Sequence, residues 1–399
     1  AGGSPRRSIR SIVRADDGTL WCAAQFGLYR FENGRWRETE LPGRAAGERV
    51  TDVTAGGDDG RVVALTRSAV YVQQGRRFVR TVPGAPAGYS RQMSLFKTVW
   101  NLHSGGLFGQ AGRVVVDLIA VVIIFLCVTG IVLFVLPFRI RRAAAPKSGV
   151  RLFKWNFRWH DRVGYYALIP AVLVAVTGTC LRPPLMIPFV LMKTAPVPGS
   201  VFDGENVWYD KFRAIRWNGR SGHWLISTSE GFVRVEKDFG GRPEPIDAKT
   251  APPVSPMGVN VFEPAGAGRW LVGSFGGLYV WNPEEGSVLD YFSGKPARSG
   301  KGGRPVSDCL VAGFTGDSGF GPLVFDYAKG AGIPAAMPAL LAGQPISLWN
   351  VALELHVGRC YAPFLGPLSE LFVFISGTLL TLVLISGLVI HNRHDRKQK

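Results

Sequence analysis

Three apolar runs limit what this chain can become. Val114 to Phe138 carries a single charge, Asp117, while Val163 to Leu181 and Leu371 to Ile390 carry none. At about 1.5 Å of rise per residue, roughly 20 helical residues cross a hydrocarbon core of about 30 Å, so each run is long enough to span a membrane. Lipid offers no partner to backbone amides, which makes helices the expected form. Thr129-Gly130, Thr177-Gly178 and Ser386-Gly387 supply small residues for close helix packing, and they are read as packing rather than chemistry.

Orientation follows from the short connections. Residues 138–162 hold eight Lys or Arg against one acid, Asp161, and the tail after Ile390 holds four against Asp395. The positive-inside bias places both in the cytoplasm, which leaves residues 1 to about 110 and about 193 to 366 outside, in the periplasm of a bacterium. These two segments carry ten of the formal net charge of +17. The basic composition is therefore a topology signal and an attraction to anionic lipid headgroups, not a nucleic-acid surface. The chain opens AGGSPRRSIR, with neither Met nor an apolar stretch, so an upstream signal peptide or first transmembrane helix is expected. Of the five cysteines, Cys127 and Cys180 fall inside apolar runs, and Cys22, Cys309 and Cys360 show no CxxC or metal spacing from which a disulfide could be assigned.

The exported parts repeat. Asp17-Gly18-Thr19-Leu20-Trp21 through Gly27-Leu28-Tyr29-Arg30-Phe31 returns 42 residues later as Asp59-Gly60-Arg61-Val62-Val63 through Ala69-Val70-Tyr71-Val72, with Phe78 answering Trp36. The theme resumes in His223-Trp224-Leu225-Ile226-Ser227 with Gly231-Phe232-Val233, and again in Arg269-Trp270-Leu271-Val272-Gly273 with Gly277-Leu278-Tyr279-Val280-Trp281. Each unit alternates apolar and polar residues between Gly, Asp and Asn turn signals, as short antiparallel strands do. A period of about 40–45 residues with about four strands per unit is a propeller signature. Four blades are recognisable, with a looser fifth around Val306 to Phe325. A single propeller requires the segments on the two sides of the membrane hairpin to join; two partial sheets with edges to cover are the rival. The repeated Trp and Tyr residues are expected in the blade core rather than in a ligand cage.

Histidine is scarce, six in 399 residues; three of them, His103, His160 and His356, each stand shortly before an apolar run, and a fourth, His391, closes the last run. His160 lies three residues before the second run on its cytoplasmic side, and His391 directly follows the third run on the same side. His103 and His356 lie on the outer side, in the phrases Leu102-His103-Ser104-Gly105 and Leu355-His356-Val357-Gly358, and each is followed fourteen positions later by an acid, Asp117 or Glu370. The shared offset marks two versions of one module. Imidazoles gathered at membrane boundaries suit a metal or haem centre, but histidine at a helix end also serves as a plain interfacial anchor. The anchor reading weighs most at His391, in a His-Asn-Arg-His tail where His394 is an alternative ligand. His223, beside a blade Trp, is read as structural. For Asp117 and Glu370, ion pairs with Arg113 or Arg359 are the simpler account, and proton or haem chemistry the other. Arg182, before Pro183-Pro184, marks where the second span reaches the outer surface.

The runs LHSGGLFGQAGRVVVDLIAVVIIFLCVTGIVLF, KWNFRWHDRVGYYALIPAVLVAVTG and LELHVGRCYAPFLGPLSELFVFISG resemble the later helices of PepSY-associated transmembrane proteins, which include iron-regulated membrane proteins and ferric-siderophore reductases. The likeness covers roughly 130 of the 399 residues. The phrase DGTLWCAAQFGLYRF resembles the blades of the two-component-regulator type of β-propeller. The first resemblance implies four helices, with outer soluble segments between the first and second and between the third and fourth. This chain departs from it in lacking the first helix and in carrying blade-like segments where a small α/β PepSY domain is expected. The resemblance further implies haem b, one or two per chain, and electron transfer across the membrane. Neutral imidazole is a good axial ligand for haem iron, so the expected iron ligands are His103 with His356 on the outer side and His160 with His391 on the cytoplasmic side. An upstream helix is another source of a ligand.

No GxGxxG follows a strand, and there is no P-loop, HExxH helix or GxSxG elbow. Without a nicotinamide or flavin site, the electron donor is expected to be a membrane quinol or a separate reductase protein, and the acceptor a ferric siderophore or periplasmic protein. The expected fold is a mixed membrane protein of the bacterial inner membrane, with its C-terminus in the cytoplasm. It combines an α-helical transmembrane bundle, three spans here and a fourth upstream, with an all-β propeller-like periplasmic domain. The divisions are blade-like residues 1–100, a transmembrane hairpin over 101–192 with a basic cytoplasmic loop at 138–162, further blades over 193–348, and a last helix with a basic tail over 349–399. Two functions fit: a membrane oxidoreductase of the ferric-reductase kind, and a haem-free sensor or scaffold whose propeller binds a ligand or protein while the helices anchor it.

Overall fold

The computed structural model describes residues 8–142, 147–253, 255, 257–297, 309–319, 321–327, 329–331, 339 and 343–398. The chain forms two units, Ala1–Tyr89 with Asn206–Pro345 and Ser90–Glu205 with Ile346–Lys399.

The first unit is a series of antiparallel meanders. Its first sheet runs β1 (Ile9–Arg14), β2 (Leu20–Ala24), β3 (Gly27–Glu32), β4 (Arg35–Thr39), and its second β5 (Val50–Gly56), β6 (Arg61–Thr66), β7 (Val70–Gln74), β8 (Arg77–Thr81). The helical unit intervenes, its ends paired as β9 (Met93–Ser94) and β10 (Lys193–Thr194). The third sheet is β11 (Phe212–Asn218), β12 (His223–Thr228), β13 (Gly231–Glu236), β14 (Glu244–Pro245). The fourth is β15 (Val261–Pro264), β16 (Trp270–Ser274), β17 (Gly277–Asn282), β18 (Ser287–Asp290). A two-stranded sheet of β19 (Val311–Thr315) and β20 (Leu323–Asp326) stands where the looser fifth blade was expected; Val306 lies outside the described residues.

Side chains alternate across a strand, so β6 sends Val62 and Ala64 to one face and Val63 and Leu65 to the other. The first pair packs with Trp21, Ala23 and Leu28 of the first sheet. The second packs with Phe212, Ile215, Trp224 and Ile226 of the third. Leu225 and Phe232 carry the stack on to Phe262, Val272 and Trp281, and Val261, Leu271 and Leu278 reach Val311 of the fifth sheet. Sheets from both sides of the helical insertion therefore belong to one stack. Burial on both faces also explains why the second strands are nearly continuous apolar runs, such as RVVALT and WLVGS, and not the simple alternation expected. Trp21 is 3% exposed and Tyr71, Trp224 and Trp281 are fully buried, so these repeated aromatics form the core, whereas Trp36 remains 44% exposed.

The first strands of the sheets are stitched in chain order. Val53 N donates to Ser11 Oγ at 2.9 Å. Asp52 Oδ2 accepts from Ile215 N at 2.9 Å and from Arg216 Nη1 at 2.5 Å. Arg216 Nε goes on to Phe262 O at 2.7 Å, and Asn260 Nδ2 to Val311 O at 2.7 Å. The Asp52 carboxylate is buried, and its pairing with Arg216 is what makes that burial tolerable. In four of these strands the ladder slips by one residue, at Arg10, Thr51, Arg213 and Ala312. A bulge of this kind re-aims one side chain away from the ladder.

The second unit comprises α1 (Leu95–His103), α2 (Gly109–Arg142), α3 (Lys147–Thr179), α4 (Met186–Leu191), α5 (Leu348–His356), α6 (Ala362–Leu365) and α7 (Phe372–Gln398). Three stretches, Gly106–Ile140, Gly149–Thr179 and Arg359–Asn392, are long and apolar enough to cross a membrane. α3 packs against both α2 and α7. It starts 16 residues before the apolar run that signalled it, so the basic segment over 138–162 is helical on both sides of residues 143–146. Lys and Arg are good helix formers, and hydropathy registers lipid exposure rather than helix length.

The repeated histidine phrase is a repeated structure. α1 and α5 are nine residues long and both end in His. Two residues on, Gly105 and Gly358 adopt left-handed φ of 72° and 78°, and each donates its N–H to a leucine carbonyl, Leu102 or Leu355, at 3.2 Å. A Cβ at Gly105 would strike the backbone of Gly112, and one at Gly358 would lie 2.8 Å from the Phe372 ring, so neither turn admits a side chain. A short 3-10 turn then leads toward each span, Gly106–Phe108 or Arg359–Tyr361.

Candidate functional site

α1 delivers His103 to the far end of α3, where His103 Nδ1 lies 3.0 Å from Val174 O and 3.3 Å from Thr177 Oγ1. A carbonyl only accepts, so Nδ1 carries the proton and Nε2 keeps a lone pair. Thr177 Oγ1 is itself committed as a donor to Leu173 O at 2.7 Å. Gly178 makes room for the ring, since a Cβ there would lie 2.8 Å from His103 Cε1. From the end of α5, the exposed His356 places its ring 6.0 Å from that of His103, centroid to centroid, with the planes inclined by 25°. Burial pushes the His103 imidazole below its ordinary value; the Val174 hydrogen bond opposes this and the neighbouring His356 adds to it. His103 is therefore neutral near pH 7.

A second cradle of the same kind lies on α2. His160 Nδ1 is 2.7 Å from Thr129 Oγ1, which donates its own proton to Phe125 O at 2.8 Å and so must accept from the imidazole. Asn156, one turn before His160, donates to Thr129 O at 2.8 Å, and a Cβ at Gly130 would sit 3.5 Å from His160 Cε1. His391, at the end of the third apolar run, is 2.8 Å through Nδ1 from Asp161 Oδ1 and stacks on Tyr165 at 4.5 Å. Asp161 follows His160, about 100° further round α3. His160 and His391 thus share a level but are anchored on different faces of α3, whereas His103 and His356 meet ring to ring. Counting from His160 to Val174 and Thr177, the two levels are about 21–26 Å apart at 1.5 Å per residue. The side chain of His394 lies outside the described residues. His223 Nδ1 bonds Ser221 O at 2.6 Å within the third sheet, a structural role.

The expected pairings of the boundary acids need correction. Asp117 is exposed, and no ion pair joins it to Arg113 among the described residues. Arg359 forms its ion pair with Glu354, five residues earlier across the tight turn, with Nε at 2.9 Å from Oε2. Arg182, just past the end of α3, is lowered chiefly by burial; Arg359 repels it, and Glu370 and Glu354 attract it. None of the five cysteines is in a disulfide.

The Thr-Gly pairs, assigned to packing from the sequence, are the residues that reasoning missed. Two of the three face an imidazole; the third, Ser386-Gly387, has open space at Gly387, while Gly377 packs closely on Thr179. The available signal was one Thr-Gly in each of the first two spans. His103 and His356 are the two residues placed to share one bound metal or haem. The two rings are stacked at 6.0 Å between centroids, a separation of the order that two imidazoles on one metal need, at about 2 Å per metal–nitrogen bond plus the ring radii. A ligating histidine also characteristically donates its other N–H to a carbonyl, hydroxyl or carboxylate, as His103, His160 and His391 do.

The family described as the PepSY-associated TM region matches residues 30–394. Among solved structures, the chain is similar to the extracellular domain of the hybrid two-component system BT4673 from B. thetaiotaomicron, at 12% identity and a TM-score of 0.30, over 81% of this chain and 31% of that one. It is likewise similar to the extracellular domain of BT3049 from the same organism, at 8% identity and a TM-score of 0.30, over 82% and 34%. The chain spans about a third of the length of these structures. No match was found among curated proteins.

Proposed function

The chain belongs to the family of the PepSY-associated TM region, and on that premise we propose that it is a haem-binding electron-transfer protein of the bacterial inner membrane, reducing a ferric chelate or a periplasmic partner. The observation that carries the proposal is the ring-to-ring placement of His103 and His356 at 6.0 Å, with His103 Nδ1 held by Val174 O so that Nε2 is available. A bound haem iron supplies a one-electron ferric–ferrous couple. His103 and His356 would hold the outer iron, and His160 and His391 the inner one. Thr177 and Val174 orient His103, Thr129 orients His160, and Asp161 orients His391. α3 contributes to both levels and fixes their spacing. The basic segment at 138–162 and the basic tail support a cytoplasmic position for the inner pair and the C-terminus, with the sheet unit in the periplasm. A membrane quinol or a separate reductase protein is then the donor.

The test is optical. Full-length protein purified from haem-sufficient cells should show a Soret band and, once reduced, resolved α and β bands. His103→Ala and His356→Ala should each remove the same haem, and His160→Ala the other one. A colourless wild type would refute the proposal, and one that retains a periplasmic partner would point to the sensor or scaffold function.

A further inference from the structure

Two bulges of the inner strands carry arginines, and a third arginine, in a turn, lies within electrostatic reach of both. Arg10 is the slipped residue of β1 and Arg213 that of β11. Arg67 sits in the turn between β6 and β7, and its carbonyl accepts from Phe212 N at 3.0 Å, which fixes that turn at the start of β11. Arg67 and Arg213 converge on one residue: Arg67 Nη1 is 3.2 Å from Asp210 Oδ1, and Arg213 Nη1 donates to Asp210 O at 3.0 Å and Phe212 O at 2.9 Å. Nearby acids are already engaged, Glu230 by Lys211 Nζ at 3.0 Å and Glu48 by Ser68 N at 3.1 Å. Arg67 Nε is buried and has no hydrogen-bond partner among the described residues. A buried guanidinium N–H left in that condition is costly and calls for an acceptor.

We propose that Arg67 and Arg213, which converge on Asp210, form an anion-binding site at this end of the inner strands, with Arg10 adding charge from β1, for a small oxyanion with two or more negative charges, a phosphate or a polycarboxylate. Planar guanidinium forks match the oxygens of such groups bidentately. The electrostatics agree. Burial, reinforced by repulsion from Arg67, brings Arg213 down to about 10 despite attraction from Asp210 and Glu230; Arg10, exposed on β1, is lowered by partial desolvation of its charge and by repulsion from Arg67. A bound anion would relieve both repulsions. The site is independent of the histidines.

The full chain in detergent micelles should be titrated with inorganic phosphate and with citrate, against chloride at equal ionic strength. Calorimetry and tryptophan fluorescence would both report, because Trp208 stacks on Phe212 at 5.0 Å, next to Arg213. At least one probe should bind saturably, about tenfold or more weakly after Arg67→Gln, less weakened after Arg10→Gln, and unchanged after Arg91→Gln, an exposed arginine of the other unit. Binding of neither probe, binding that survives Arg67→Gln, or equal loss with Arg91→Gln would overturn the proposal. Haem content should be the same in all three variants, so failure here and failure of the haem reading are separable.

Discussion

Two glycine-to-alanine substitutions, chemically identical and both within helices, should have opposite outcomes. In a helix, Gly→Ala stabilises by about 0.5–1 kcal/mol when the added methyl meets nothing. At Gly130 the methyl would lie 3.5 Å from His160 Cε1, an ordinary contact. At Gly178 it would lie 2.8 Å from His103 Cε1 and 3.3 Å from Nδ1. The His103 ring would have to retreat by about 0.6 Å to reach 3.4 Å. That movement stretches the bond to Val174 O, now 3.0 Å, and alters the separation from His356. Weakening a partly buried hydrogen bond costs about 1–3 kcal/mol, and forcing the side chain off its rotamer about 0.5–1.5 kcal/mol. Gly178→Ala should therefore be destabilised by about 1–3 kcal/mol net, while Gly130→Ala is neutral or slightly stabilised. Thermal unfolding in micelles gives the sign, and, on the proposed haem function, the loss of reduced α-band intensity per protein reports the outer level. Equal stability and equal band intensity in Gly178→Ala and wild type would refute the claim that this glycine exists to seat the imidazole.

Thr177→Val and Thr129→Val should each weaken haem retention about 10–100-fold, read by transfer of haem to a scavenging apoprotein, because each removes the acceptor that helps fix an imidazole tautomer. Gly377→Ala should loosen the α3–α7 contact by striking Thr179, and Thr179→Ala in the same chain should restore part of the lost melting temperature; no rescue would mean that the damage lies elsewhere. Asp52→Ala should cost about 3 kcal/mol in the sheet unit, at the lower end for a broken buried pair because Arg216 keeps some solvent contact, and a double-mutant cycle with Arg216→Ala should show that much of this cost is the orphaned cation.

The spans, the four repeating sheets and the two histidine turns were legible because each is written in local periodicity: apolar length, strand alternation with turn residues, or a His followed two residues later by a glycine. What was not legible depends on partners far apart in the chain. The start of α3 at Lys147 was hidden because a run rich in Arg and Lys forms helix without looking apolar. The Thr-Gly pairs looked like packing because their role appears only when His103 arrives from 74 residues away or His160 from 31. Asp117 and Glu370 share a sequence offset, yet their surroundings differ, since Arg359 turns back to Glu354. The inner-strand bulges left no mark in the residue pattern.

The insertion of the helical unit between the second and third sheets constrains the order of biogenesis. The face of the second sheet formed by Val63, Leu65, Val70 and Val72 is completed only by Phe212, Ile215 and Trp224, so it must wait uncovered while well over a hundred residues are synthesised and two spans enter the bilayer. At equilibrium the delay costs little, because each doubling of a loop adds only about 0.6 kcal/mol of closure entropy. Kinetically it is an exposed apolar face beside the translocation machinery, at risk of aggregation. The short β9–β10 pair brings the two ends of the insertion back to about one strand spacing, about 4.8 Å.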